Sequence, residues 1–187
     1  PDFDFGAPPI LITSKSGNDY LLAGQKSGMV FALDPSNEGR ILWRKKIGRG
    51  GHNGGIHWGM AADENVLYVP IADIGEHPFA TGDPQPGIHA LDIATGEVLW
   101  SHLEGSTCPQ DSFECFAGFS APISLSSDIL FAGGLNGVFH AYSSSTGAKL
   151  WKFNTRRKFI SVNQLTGKGG TIDGGGPVIA GNMLYIN

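Results

Sequence analysis

The sequence predicts an all-β fold, a β-propeller with four-stranded antiparallel blades, and three observations predict it. A motif recurs: Ala32-Leu33-Asp34 with Gly39 and Leu42-Trp43, then Ala90-Leu91-Asp92 with Thr95-Gly96-Glu97 and Leu99-Trp100, then Ala141-Tyr142-Ser143 with Thr146-Gly147 and Leu150-Trp151. Between the copies lie short runs of Val, Ile, Leu, Phe and Tyr broken by glycine-bearing turns, the mark of consecutive antiparallel strands. The 187 residues hold 28 glycines and only 16% charged side chains, so the chain turns often and carries few charged helical faces. The glycine-to-tryptophan spacing is constant while the tryptophans lie 57 and then 51 residues apart, so the unit is fixed and the loops between units vary.

In the first unit the expected strands are Pro9 to Thr13, Tyr20 to Gly24, Met29 to Asp34 and Ile41 to Ile47. In the second they run from about Trp58, through Val66 to Ile71 and Ile88 to Asp92, to Val98 to Leu103. The third has Ser120 to Ser124, Ile129 to Gly133, Val138 to Ser143 and Lys149 to Asn154, and a fourth begins with Pro177 to Ile179 and Met183 to Ile186. The whole chain, 1–187, reads as one partial propeller domain with units at about 5–48, 56–103, 117–155 and an incomplete 174–187. Three and a third blades do not close a ring, and an open stack exposes apolar sheet faces. The remaining blades are therefore expected outside this sequence or on another chain. The chain opens at Pro1 without methionine and shows no signal peptide, as expected of a processed protein or a piece of a longer one.

Thirteen Lys plus Arg against seventeen Asp plus Glu give a net charge of -4 without a long basic run, which argues against nucleic acid as a partner. The most apolar stretch, Val66 to Ala72, is too short for a membrane span.

Cys108 and Cys115 are the only cysteines and fall in the connection between the second and third units. Two thiols without a second pair make a poor zinc site, and no Cys-x-x-Cys arrangement is present, so a disulfide across Pro109 to Glu114 is expected. Such a loop closure contributes about 2 to 3 kcal/mol on the chain-entropy model. It points to an oxidising compartment, periplasmic or secreted. No Cys-x-x-Cys-His occurs, so the segment carries no c-type haem. The tryptophans of the three copies are expected to pack blade against blade. Gly167 to Gly176 lacks the Gly-Lys-Ser/Thr ending of a phosphate cradle and is read as a loop before a strand, with Asp173 undecided between channel and solvent. The insertion Ala72 to Pro86, with Glu76 and His77, is either a substrate-access element or a long surface loop.

The repeat of Ala-Leu-Asp, Thr-Gly-Glu and Leu-Trp resembles that of the quinoprotein dehydrogenases, which carry pyrroloquinoline quinone (PQQ) on an eight-bladed propeller. Asp2-Phe3-Asp4-Phe5-Gly6-Ala7, Ala23-Gly24-Gln25-Lys26-Ser27-Gly28, Gly54-Gly55-Ile56-His57-Trp58-Gly59 and Asp173-Gly174-Gly175-Gly176-Pro177-Val178 make it most similar to the branch that includes polyvinyl-alcohol dehydrogenase. The resemblance implies the C-terminal part of an enzyme that oxidises alcohols, polymeric or secondary ones included, by hydride transfer to PQQ with Ca2+ assistance. Asp4, between two aromatic residues before the first strand, matches the family's active-site aspartate, a base for the hydroxyl proton and a calcium neighbour. Lys26 matches the cation that lies against a quinone carbonyl and stabilises charge developing on its oxygen. His57 and Trp58 match a cofactor-binding Asn-Trp pair, with histidine in place of the amide. His52, five residues before His57, lacks the fixed geometry of a metal motif. Phe116 falls where the family has an aromatic lining the cofactor cavity. Further calcium ligands and the tryptophan that stacks on the quinone belong upstream of Asp4, so the stretch alone is expected to be inactive. An electron acceptor such as a c-type cytochrome is the implied partner. Two rival readings remain, a non-catalytic propeller scaffold and a carbohydrate- or polymer-binding module.

Overall fold

How a sheet's two faces are covered is written in the burial of its strands. The structure, a computed structural model, describes residues 3–75, 82–105, 108 and 115–186, and among them are strands and turns but no helix. The first sheet is β1 (Ile10–Thr13), β2 (Asp19–Gly24), β3 (Met29–Asp34) and β4 (Arg40–Lys46), and the second is β5 (Ala61–Ala62), β6 (Val66–Ile71), β7 (Gly87–Asp92) and β8 (Val98–Leu103). The third is β9 (Ser124–Ser126), β10 (Ile129–Gly133), β11 (Val138–Ser143) and β12 (Lys149–Asn154). Two hairpins follow, β13 (Lys158–Ile160) with β14 (Thr166–Lys168) and β15 (Val178–Ala180) with β16 (Met183–Tyr185). Every pairing is antiparallel between neighbours in sequence, and the first strands of successive sheets touch: β1 with β5, β5 with β9, β9 with β15. The sheets therefore fan out from a line of first strands, the arrangement of propeller blades.

β2 alternates exposed and buried residues because one of its faces is covered. β6 is buried along nearly its whole length because both faces are: Leu67, Val69 and Ile71 pack with Leu22, Val30 and Ala32 of the first sheet, and Tyr68 packs with Phe119, Leu130 and Tyr142 of the third. The fourth strands are largely exposed, and β4 and β12 carry several basic side chains.

The repeat motif is the joint between sheets. In the second copy the Asp92 carboxylate accepts the backbone N–H groups of Ala94 (3.0 Å) and Thr95 (2.9 Å) and fixes the turn from β7 to β8, which Gly96 closes with φ +73°. The Trp43 indole of the preceding sheet lies on that glycine, where a Cβ would stand 2.7 Å from the ring, and its N–H donates to the Ile93 carbonyl at 2.9 Å. Trp100 repeats the contact on Gly147, donating to the Ser144 carbonyl at 2.9 Å. Each copy also holds a β-bulge: the ladder pairs Ala32 with Trp43 and then Leu33 with Ile41, and the shift recurs at Ala90/Leu91 and Ala141/Tyr142. The extra residue is Leu42, Leu99 or Leu150, and all three are exposed.

The sequence reading places the first strands of the second and third units too early. Trp58 lies before β5, and Ser120 to Ile123 lie before β9. Pro122 brings no N–H to a ladder, and Gly59 packs against its ring, so these stretches form plugs ahead of short strands. Gly167, read as the start of a loop, lies in β14 opposite Phe159. That hairpin is closed by the Ser161 N–H donating to the Leu165 carbonyl (2.9 Å), and the Arg157 guanidinium covers the Phe153 and Phe159 rings. The Cys108–Cys115 disulfide is present with Cα atoms 5.5 Å apart, while Pro109 to Glu114, Glu76 and His77 lie outside the described residues.

Two stability predictions follow from the joints between sheets. Gly39 has the same φ of +73° as Gly96 but open space around its Cα. Gly39→Ala is expected to cost about 1 to 2 kcal/mol for the left-handed backbone. Gly96→Ala should cost ~1 to 3 kcal/mol more, from overpacking against Trp43; equal losses in urea unfolding would refute the joint. The second prediction concerns His140, 2% exposed between the Phe119 and Tyr142 rings, with neither ring nitrogen hydrogen-bonded among the described residues. Burial lowers its pKa to about 4, with the Glu104 carboxylate opposing and the Lys149, His102 and Lys152 charges assisting. The unfolded chain then takes up this proton first, so stability falls as pH drops from about 6.5 to about 4. At pH 5 the loss attributable to His140 is about 2 kcal/mol. His140→Phe should remove that share, read as a smaller difference between unfolding free energies at pH 7 and pH 5.

Candidate active site

One end of the fan carries the turns that enter the first strands, leave the second and enter the third. There they enclose a cavity of about 340 Å³. Asp4 and Gly6 come from the segment before β1, Lys26 from the β2–β3 turn, His52, Asn53, His57 and Trp58 from the β4–β5 loop. Ile74 follows β6, Ser120 precedes β9 and Asp173 precedes β15, so the cavity is assembled from consecutive sheets.

Asp4 and Lys26 meet. Their carboxylate and ammonium are 3.6 Å apart, the lysine side chain 21% exposed and the aspartate 69%, and the Lys26 N–H donates to the Asp4 carbonyl at 3.0 Å. The Lys26 backbone is clamped from the other side by the glycine-rich loop: Gly51 N–H donates to its carbonyl at 3.2 Å, and a Cβ on Gly55 would stand 2.3 Å from the same oxygen. Only glycine, at φ +66°, permits that approach.

His57 is held by both ring nitrogens. The Gly54 carbonyl, 3.0 Å from Nε2, can only accept, so Nε2 carries the hydrogen and Nδ1, 2.7 Å from the Ser120 hydroxyl, accepts from it. Burial lowers the His57 pKa, and the Lys26 ammonium acts the same way; the Gly54 carbonyl and the Asp173 and Asp73 carboxylates pull upward. The ring is thus a neutral wall of the cavity with its N–H spent inside the protein. Trp58 offers a half-exposed indole beside it. Phe116 does not join this lining: it is partly exposed, after Cys115, and its N–H donates to the Leu135 carbonyl at 3.5 Å.

The sequence reading missed Asp73. Its buried carboxylate accepts four backbone N–H groups, Arg49 at 2.6 Å and Gln85 at 2.9 Å on one oxygen, Gly50 at 3.1 Å and Gly55 at 2.8 Å on the other. One side chain thereby ties the glycine-rich loop to both ends of the 72–86 insertion. The signal was there to find: a run of glycines leaves buried N–H donors without local acceptors, and an aspartate at the end of an apolar strand supplies them.

A planar anionic quinone fits these residues, which offer one fixed ammonium and one indole face in a cavity large enough for a small ligand. Calcium does not fit them alone. It takes about six to eight oxygens, and among the described residues no group of three His, Cys, Asp or Glu side chains is gathered for a metal.

Repeat, fan and cavity together define a class. A family model described as outer membrane protein assembly factor BamB matches residues 26–102 and 84–187, and the chain belongs to this family of PQQ-repeat propellers. Within it, the chain is similar over its whole length to polyvinylalcohol dehydrogenase, 41% identical to that of Sphingopyxis sp. (strain 113P3) and 38% to that of Pseudomonas sp. It spans 29% of the length of each of these relatives. Among solved structures, BamB from Moraxella catarrhalis shares the fold with a TM-score of 0.61 at 20% identity, over 96% of this chain and 46% of that one. Quinohemoprotein alcohol dehydrogenase ADHIIG from Pseudomonas putida HK5 shares it with a TM-score of 0.59 at 19% identity, over 82% and 21%.

Asp73→Asn replaces an acceptor-only carboxylate by an amide that turns two donors toward N–H groups, and is expected to cost about 3 kcal/mol. The check is hydrogen exchange, in which the Gly50 and Gly55 amides should lose protection before those of β6.

Proposed function

We propose that this chain forms one part of the active site of a PQQ-dependent alcohol dehydrogenase, with Asp4 as the base and Lys26 as the cation at the quinone. The observation that carries the reading is the Asp4–Lys26 pair at 3.6 Å in the cavity, two residues 22 positions apart brought together by the opening hairpin. When bound, the quinone supplies the two-electron acceptor that takes hydride from the carbinol carbon. Asp4 takes the proton of the substrate hydroxyl, and its exposed carboxylate is open to a ligand entering the cavity. Lys26, shielded and fixed through its backbone, presents positive charge without reorganisation. Trp58 and the neutral edge of His57 supply apolar surface that limits water around the reacting groups. A calcium ion at Asp4 would draw its other oxygens from residues outside this chain. The disulfide and the extracytoplasmic setting it favours support a periplasmic or secreted enzyme delivering electrons to a carrier such as a c-type cytochrome.

A second reading, a non-catalytic propeller that acts in assembly, is favoured by the BamB family model. The two part in one experiment: the full-length protein is reconstituted with PQQ and Ca2+ and assayed for dye reduction with primary, secondary and polymeric alcohols. The dehydrogenase reading expects turnover that falls ~10²- to 10⁴-fold in Asp4→Asn and ~10²- to 10³-fold in Lys26→Met. No turnover with any alcohol favours the scaffold, and turnover insensitive to both substitutions refutes the roles given to Asp4 and Lys26.

A further inference from the structure

From β12 to the end of the β13–β14 hairpin the chain is basic without counter-charge. Lys149 to Ile172 holds six of its thirteen Lys and Arg and no Asp or Glu, although the whole chain has a net charge of -4. Two of the six are committed inside the protein: Lys149 pairs with the buried Glu104 carboxylate at 3.1 Å, and the Arg157 guanidinium lies 4.5 Å from the Phe153 ring centre and 4.9 Å from that of Phe159. The hairpin displays two others. Its register sets Lys158 directly opposite Lys168 and Ile160 opposite Thr166, so these four share one face, while Phe159 and Gly167 form the other. Phe159 turns toward the body of the protein, its ring 6.2 Å from that of Phe153, and all four residues of the lysine face are exposed. Among the described residues no ion pair or hydrogen bond engages either ammonium. Like charges placed directly opposite weaken a two-stranded ladder, so this pair costs stability unless something anionic meets it. At the end of the hairpin Val162 is fully exposed, and Ile160 and Leu165 are 65% and 64% exposed, so three aliphatic side chains crown the turn.

An aliphatic tip ahead of two unneutralised lysines suits a bilayer surface. The tip enters the boundary between headgroups and acyl chains, where no shaped pocket is required, and the lysines then lie at the level of the phosphates with their stems along apolar surface. An acidic protein would answer the charge but not the tip, since protein interfaces anchor on aromatic and Arg side chains seated in pockets, and none of the three tip residues is aromatic. A phospholipid surface answers both. We infer that the β13–β14 hairpin is a docking element for the surface of an anionic phospholipid bilayer, with Ile160, Val162 and Leu165 at its tip and Lys158 and Lys168 behind them. The contact is peripheral, because strands of three residues are far too short to cross. It stands independently of the dehydrogenase reading.

The test mixes the full-length protein with vesicles of phosphatidylcholine alone and of phosphatidylcholine with phosphatidylglycerol, and reads the bound fraction by sedimentation. The parent is expected to bind the mixed vesicles at least ~10-fold more tightly than the neutral ones, and Lys158→Gln combined with Lys168→Gln to weaken that binding about 10- to 30-fold, the share of two lysines near an anionic surface. Val162→Trp reads the tip: its emission should move to shorter wavelength on the mixed vesicles and be quenched by brominated lipid. Equal binding of the parent to the two kinds of vesicle, or binding unaltered by the lysine substitutions, overturns the inference. So does a Val162→Trp emission that ignores the vesicles. If the lysine variant loses binding to soluble polyglutamate but not to vesicles, the surface belongs to an acidic protein and the lipid assignment falls. Position 162 is fully exposed, so Val162→Trp carries the test by itself should the lysine variant misfold.

Discussion

An indole seated on a glycine is the contact on which the rest of this structure depends. A sheet of four strands has two faces and cannot hide both by itself. The first and second sheets each lend a Trp to the turn of the next, and the turn receives it only because it lacks a side chain at that point. The ring supplies area and the N–H supplies direction, since the carbonyl it finds belongs to the turn held by the aspartate or serine of the motif. Sheet spacing and sheet rotation are set together by one residue per blade. The bulge beside each tryptophan bends the fourth strand and leaves the residue before it facing outward.

The cavity is kept away from that machinery. The cavity lies at the end of the fan, built from loops, and its order comes from backbone hydrogen bonds gathered by Asp73 and from close approaches at glycine. Asp4 and Lys26 are positioned mainly through their backbones, which leaves both side chains facing the cavity. His57 is the opposite case: its side chain is consumed in holding the loop before β5 to Ser120 at the entrance of the third sheet.

The fold was legible because its determinants are local and repeated. Glycine four residues before tryptophan, and the motif turn, can be read without knowing what they touch. The first strands of the second and third sheets were not legible, because Pro122 and Gly59 make plugs whose shape depends on one another across sheets. Asp4 and Lys26 were found through sequence likeness, and their meeting required only that the first hairpin close. Asp73 went unnoticed because its partners are backbone amides from stretches before and after it, at which the run of glycines from Gly50 to Gly55 only hints. Phe116 was singled out on a weak match, and its surroundings tie it to Leu135 rather than to the cavity. Asp173 could not be assigned in advance because the segment that carries it is held through Ile172 and Gly176, whose contacts lie in another sheet.

The separation of joints from loops bears on how such a molecule acquires a trade. A mutation at Asp4 or Lys26 alters the cavity without touching the contacts of Trp43 and Trp100, which lie outside its lining. One architecture can then be inherited by catalysts and by assembly factors alike, with occupation decided by a handful of loop residues rather than by the framework that carries them.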